Sequence, residues 1–255
     1  MKFVQSIKYF CLHRIHILLL FFICVQQVQA QYDDTSVYYL KANLTGVYNK
    51  TNTTESYLTN NTVRFAFSKK KTLINVYGGW VYGKQKTGLT NNDYNVATDY
   101  NVYNDKQILF FWGYGAYDNS YSLKIDSRLQ VGSGIGYDVL KSAVFSLSLS
   151  DGLVYEYNNY APSPDPLYND FETFRNSFRV KYLLYVHKVI KLRGSNYWQQ
   201  SLESESDYIF KFTNSMEFKI RKWLSFTIAT TYNKVNRTSR ENFLLTYGLT
   251  FDKTF

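Results

Sequence analysis

From about residue 36 onward, apolar and polar residues alternate with a period of two, the spacing of a strand whose two faces meet different surroundings. The last segment is the clearest. Phe243, Leu245, Tyr247, Leu249 and Phe251 share one face, opposite Asn242, Thr246, Gly248, Thr250 and Asp252, with Leu244 the exception. Phe255 keeps the apolar phase. Upstream, Leu224, Phe226, Ile228 and Tyr232 oppose Ser225, Thr227, Ala229 and Thr231. Phe178, Val180, Tyr182, Leu184 and Val186 oppose Ser177, Arg179 and Lys181, and Ile125, Leu129, Val131 and Ile135 oppose Lys124, Asp126, Arg128 and Gln130. The pattern predicts twelve strands, near 36–48, 56–68, 71–84, 93–103, 106–117, 122–138, 142–158, 172–187, 188–200, 204–220, 222–235 and 241–253.

The predicted links alternate in length. Those after the even strands are tight, at Lys69-Lys70, Asn104-Asp105, 139–141, His187-Lys188 and Arg221. Those after the odd strands are usually longer and polar, and the longest, 158–171, holds Pro162, Pro164 and Pro166. An even strand number with short turns at one end and longer loops at the other is the pattern of a bacterial outer-membrane barrel. Both chain ends then lie at the short-turn, periplasmic side, and the proline loop faces outward.

Alternation alone does not say which face is inside. A soluble barrel buries its apolar face, whereas a membrane barrel shows it to lipid. Three features favour the membrane. The polar face carries many charges. Tyr82, Tyr117, Tyr137, Tyr157 and Tyr232 stand near strand ends, where an interfacial girdle belongs. Twelve strands would also leave a soluble interior too wide to fill simply. The expected fold is an all-β, transmembrane, antiparallel up-and-down barrel.

Composition agrees. Tyr (25) and Phe (19) dominate the aromatics, and the mean hydropathy of −0.32 leaves no apolar helix span after the start of the chain. The first thirty residues read as a signal peptide. Lys2, Lys8, His13 and Arg14 form a basic region, 17–25 an apolar run too short to span a bilayer, and Val28-Gln29-Ala30 a cleavage pattern. Cleavage after Ala30 divides the chain into a leader, 1–30, and a barrel, 31–255. Cys11 and Cys24 both fall in the leader, which excludes disulfides, thiolate metal sites and cysteine catalysis from the mature chain. The net charge drops from +9 to about +6 on losing Lys2, Lys8 and Arg14.

Leu129-Gln130-Val131-Gly132-Ser133-Gly134-Ile135-Gly136-Tyr137, Leu147-Ser148-Leu149-Ser150-Asp151-Gly152-Leu153-Val154-Tyr155-Glu156 and Leu245-Thr246-Tyr247-Gly248-Leu249-Thr250-Phe251 form a recognisable set. With Leu44-Thr45-Gly46-Val47-Tyr48 upstream, it resembles the salt-induced outer-membrane protein family. That resemblance implies an outer-membrane barrel without an established activity. It transfers no catalytic residue.

The remaining motifs point away from catalysis. Gly132, Gly134 and Gly136 lack the G-x-G-x-x-G spacing of a dinucleotide loop and share one face of one strand, where they make room for side chains opposite. His187 is the one histidine past the leader, so a metal pair or a serine–histidine site lacks its parts. Lys69-Lys70-Lys71 sits at a turn and reads as a rim touching anionic headgroups, with no nucleic-acid patch. No metal or other cofactor is expected.

The informative set is the charge on the polar face: Lys124, Asp126, Arg128, Glu156, Arg179, Lys181, Lys211, Glu217 and Lys219. In a barrel these converge on the lumen. Two outcomes stand open: pairing into a network that plugs the barrel, or lining a narrow channel whose basic excess favours anions. The expected function is non-enzymatic, in envelope integrity or in osmotic or salt response, with passage of small anions or solutes. The rivals are a lipid- or peptide-cleaving enzyme at the outer rim near Asp151, Asp165 and Glu172, and a binding module presenting the proline loop. Expected partners are outer-membrane lipids and, during insertion, the barrel-assembly machinery, for which Phe251 and Phe255 form the signal.

Overall fold

The computed structural model describes residues 37–187 and 189–255. The predicted leader, its cleavage site and both cysteines lie outside the described residues. Twelve strands run β1 (Val37–Lys50), β2 (Glu55–Lys69), β3 (Thr72–Gln85), β4 (Gly88–Tyr103), β5 (Leu109–Ser120), β6 (Ile125–Lys141), β7 (Phe145–Tyr160), β8 (Phe171–Val186), β9 (Ile190–Ser201), β10 (Tyr208–Lys219), β11 (Leu224–Val235) and β12 (Arg240–Thr254). Each pairs antiparallel with its sequence neighbour, and β12 returns to β1 to close the barrel. Closure leaves no unpaired edge, the condition for a sheet to cross a membrane.

The alternation sorts inside from outside. Phe111, Ile135 and Leu153 point outward and are 62%, 55% and 53% exposed, while Glu156 and Arg175 point inward and are 0% exposed. Polar inside and apolar outside is the reverse of a soluble barrel, so the fold is a transmembrane barrel. An aromatic belt surrounds one end. Tyr48, Tyr57, Tyr82, Tyr94, Tyr117, Tyr157, Phe174, Trp198, Tyr208, Tyr232 and Phe243 supply it from every strand except β6. Neighbouring rings touch across the ladder, Trp198 stacking on Tyr208 at 4.7 Å.

The end where β1 begins and β12 finishes carries links of two to five residues, and the opposite, loop end carries links of two to ten. One expected loop is absent. β3 and β4 join through only Lys86 and Thr87, before Gly88 at φ +137°. The run Thr90-Asn91-Asn92 reads as a loop by composition. Instead it continues the ladder, with Asn91 opposite Gly83 and Asn92 opposite Tyr82, and Asn91 buried inside.

The proline loop does not stand free. Asp165 caps a short 3-10 turn at Pro166–Tyr168, accepting from the Leu167 amide at 3.0 Å. Tyr168 and Phe171 then pack against Tyr160, Leu123, Ile125 and Val235, an apolar cluster at the loop end. Arg240 Nε donates to the Tyr168 hydroxyl at 2.7 Å and anchors this cover.

Candidate functional site

The inward face of β5–β7 is shaped by glycine. A Cβ on Gly134 would lie 2.6 Å from the Trp112 ring, and one on Gly136 would lie 2.2 Å from the Phe110 ring. The glycine face therefore receives two large rings from β5, and those rings form a small inner cluster with Val154. A void of about 10 Å³ remains between Trp112, Tyr114, Val154, Ser177, Arg179, Tyr197 and Gln199, room for about one water molecule.

Charges fill the lumen in three levels. Toward the loop end, Arg175 Nη2 donates to Glu156 Oε1 at 3.0 Å and to Asp207 Oδ1 at 3.0 Å. Gln130 Nε2 donates to the other Glu156 oxygen at 2.6 Å and to Gln199 Oε1 at 3.1 Å. Arg128 holds Asp118 through Nε and Nη2 at 3.3 and 3.2 Å. At mid-height Asp99 receives Arg179 Nη1 at 3.1 Å and Lys181 Nζ at 2.7 Å. The Arg179 guanidinium also lies over Trp112, 5.4 Å from the ring centre. Toward the terminal end Lys41 pairs with Glu217. Lys191 reaches Glu217 at 3.4 Å and Asp252 at 3.8 Å. Arg64 Nη2 donates to Asn75 Oδ1 at 2.6 Å between the rings of Tyr39 and Tyr77.

Buried charges in a low-dielectric wall are tolerable only when paired and hydrogen-bonded, which each carboxylate in these levels is. The geometry ties facing strands together across long sequence separations. Among the described residues no three histidine, cysteine or carboxylate side chains converge as metal ligands.

A family model described as "Protein of unknown function, DUF481" matches residues 34–252. The chain belongs to the DUF481 family. No curated protein matches it. Among solved structures, the translocator domain of the autotransporter NalP from Neisseria meningitidis aligns at 10% identity and TM-score 0.47, covering 87% of this chain and 90% of that one. The NanC porin aligns at 8% identity and TM-score 0.48, over 85% and 98% of the two chains. An outer membrane channel from Pseudomonas putida F1 aligns at 10% identity and TM-score 0.46, over 91% and 100%. At identities this low, likeness does not extend to function.

In this DUF481 barrel, Arg128, Glu156, Arg179, Lys181 and Glu217 lie inside and in the network described above. Lys211 faces inward, partly buried, close enough to Asp118 to add to its field. Lys219 ends β10 and is exposed at the rim. Two expected lumen residues are not there. Lys124 sits in the β5–β6 turn at φ +60°, exposed, its Nζ 5.3 Å from the Tyr121 ring centre. Asp126 is exposed because a β-bulge between Ile125 and Ser127 inserts one residue and sets the start of the strand out of phase with the rest. Ile125, expected outside, is thereby turned in and is 2% exposed.

The network also contains residues outside the expected set. Asp99 on β4 and Arg175 on β8 keep the polar phase of their strands, Arg175 two residues before Ser177, so the alternation carried a signal for both. Asp207 lies in the β9–β10 link, where no periodicity exists to mark it. The three carboxylates of the rim alternative are engaged separately. Asp151 accepts from Asn176, Asp165 caps its own turn, and Glu172 accepts from the Tyr155 hydroxyl.

Proposed function

We propose that this chain is a non-enzymatic barrel of the bacterial outer membrane that gives small anions or neutral solutes a narrow hydrated path and serves the envelope in osmotic or salt response. The observation that carries the reading is the unequal filling of the lumen. On β5–β8 the inward side chains of Trp112, Asp118, Arg128, Glu156, Arg175 and Arg179 are sealed from solvent. Across from them Thr62, Arg64, Arg193 and Thr231 are partly exposed and Thr213 is exposed, although all five point inward. Lys41, Thr45, Glu217, Thr227 and Thr246 on that side are buried as well, so water reaches a strip of this wall and not the whole of it.

The charge along that path supports anion preference. Lys41, Arg64, Lys191 and Arg193 face Glu217 and Asp252 at the terminal end, so cations outnumber carboxylates there. A narrow, mildly basic passage passes anions more readily than cations. Shorter links at the terminal end orient it toward the periplasm, as in bacterial barrels. Lipids of the outer membrane and the barrel-assembly machinery are the partners this placement requires.

Purified protein in a planar bilayer under a salt gradient tests the reading. Small, steady steps with an anion-selective reversal potential are expected. Cation selectivity, or silence from a sample whose heat-shifted gel mobility shows a folded barrel, overturns the passage. Turnover of lipid by the purified protein overturns the non-enzymatic assignment.

A further inference from the structure

We infer that a cleft between the tips of the β1–β2 and β3–β4 hairpins holds the phosphorylated sugar headgroup of a lipid in the outer leaflet. The inference goes beyond the proposed passage of solutes and shares with it the reading that the loop end faces outward.

The cleft is preformed. It has a volume of about 470 Å³, with segments 50–55 and 84–86 as its walls and Tyr57 on the side nearest the membrane. The Lys86 amide donates to the Glu55 carbonyl at 3.2 Å, and Lys86 Nζ donates to the Thr53 carbonyl at 3.4 Å, so the two tips are tied together. Within the first tip, the Thr51 amide donates to the Thr54 carbonyl at 2.8 Å and the Thr54 amide to Thr51 Oγ1 at 3.0 Å. A site whose backbone is already fixed gives up little freedom when it binds.

Its charge is the second observation. Lys50, Lys84 and Lys86 are exposed on the cleft, against one carboxylate, Glu55. Glu55 already accepts from the Tyr48 hydroxyl at 3.3 Å. Among the described residues, Lys50 and Lys84 make no ion pair or hydrogen bond. Farther round the same rim the exposed charges are mainly carboxylates, Asp126, Glu172, Glu203 and Glu205 among them. The cations gather at this one cleft, and the ligand they suit is an anion.

Position selects its source. Tyr48, Tyr57 and Tyr82 belong to the aromatic belt, and such belts lie at the level of the lipid headgroups. Lys50 follows Tyr48 by two residues, and Lys84 follows Tyr82 by two and stands opposite Tyr57. Both lysines thus keep the outward phase of the belt, about 7 Å beyond it. Cations there meet headgroup phosphates and not the lumen. The rest of the lining selects the kind of headgroup. Thr51, Asn52, Thr53 and Gln85 are uncharged hydrogen-bonding side chains, and the volume has room for a sugar ring as well as its phosphate. The Tyr57 ring, 6.0 Å from that of Tyr82, offers the flat apolar surface on which the C–H face of a sugar packs.

The test places the full barrel in nanodiscs of phosphatidylcholine with a minor share of lipid A and counts the glycolipid retained by native mass spectrometry. Retention by the native chain is expected, and Lys50→Gln combined with Lys84→Gln is expected to weaken it about tenfold or more. Lys234→Gln, on the same rim outside the cleft, is the control and should leave retention unchanged. Dephosphorylated lipid A and phosphatidylglycerol should each be retained less than lipid A. Heat-shifted gel mobility shows that each variant still forms the barrel, and single-channel conductance follows the lumen separately, so failure here is read apart from failure of the passage. Equal retention by the native chain and the double variant overturns the inference, as does an equal loss in Lys234→Gln. So does retention of dephosphorylated lipid A or phosphatidylglycerol as strong as that of lipid A. Displacement of the glycolipid by an equal concentration of inorganic phosphate also overturns it, because the site would then serve a free anion.

Discussion

Arg175 Nη2 lies 3.0 Å from Glu156 Oε1 inside the barrel wall, and the two side chains are 1% and 0% exposed. The same guanidinium holds Asp207 at 3.0 Å, in the link that leads into β10. One arginine therefore joins two adjacent strands and a loop. Removing it leaves Glu156 sealed without a cation and Asp207 with Arg237 alone, at 3.9 Å. Arg175→Leu is expected to destabilise the barrel by about 3–5 kcal/mol, measured by urea unfolding in lipid vesicles. Glu156→Gln leaves Arg175 paired with Asp207 and should cost clearly less. Equal effects of the two changes would refute the bridging role.

Gly136 faces the Phe110 ring, whose atoms lie 2.2–2.8 Å from a Cβ placed there. Gly136→Ala should cost about 1–3 kcal/mol through overpacking, and Phe110→Leu in the same chain should recover part of that loss. Gly113→Ala, with nothing within 4 Å of its Cβ, should be neutral or gain about 0.5–1 kcal/mol, because glycine is the poorer strand residue. A loss at both positions would show that the cost is general to β5 and β6 and not due to the ring.

Arg64 and Arg193 stand on the partly exposed wall of the lumen. Arg64→Gln combined with Arg193→Gln removes two of the inward cations while leaving Glu217 and Asp252 in place. The reversal potential in a salt gradient should move toward cation preference. An unmoved potential would place the conducting path elsewhere.

Lys71 donates to Asp105 where the β2–β3 and β4–β5 links meet at the terminal end. That hydrogen bond, followed by the lysine charge, holds the Asp105 carboxyl below its ordinary value. A folded-state value below the unfolded one stabilises above the unfolded pKa of about 3.9 and is lost as pH falls through the folded value. The pair is exposed, so the effect on stability is small. The direct measurement is the Asp105 carboxyl titration by NMR. In Lys71→Gln it should move up to the ordinary value, and an unchanged titration would assign the depression to another cause.

Phe255 exchanges backbone hydrogen bonds with Tyr38 at 2.8 and 3.3 Å, across the seam where β12 meets β1. Its ring points outward and is 63% exposed, in phase with Phe243, Leu245, Tyr247 and Leu249. If it acts as an assembly signal together with Phe251, Phe255→Ala should lower the amount of folded barrel in the membrane at unchanged synthesis. Equal insertion of both chains would remove that role.

Much of this architecture was legible from the order of residues alone. Twelve alternating segments identify twelve strands because successive side chains on a strand must point to opposite faces. Gly132, Gly134 and Gly136 share a face for the same reason, as do Arg179 and Lys181. What alternation leaves undetermined is which face is inside, since both barrel types show the same period. Three features needed the folded chain. Only the built ladder reveals the bulge that turns Ile125 in and Asp126 out, because one inserted residue sets the positions before it out of phase with those after it. The short β3–β4 link is hidden because its asparagine-rich strand is held by pairing and burial, against the local preference of those residues. The pairing of charges depends on closure. Lys41 meets Glu217 across 176 residues because β12 returns to β1, and Asp99 meets Lys181 across 82 residues because the barrel curves through the strands between them. The sequence by itself determines which side chains share a face over most of each strand. Curvature and register, set by the whole sheet together, decide which of them meet.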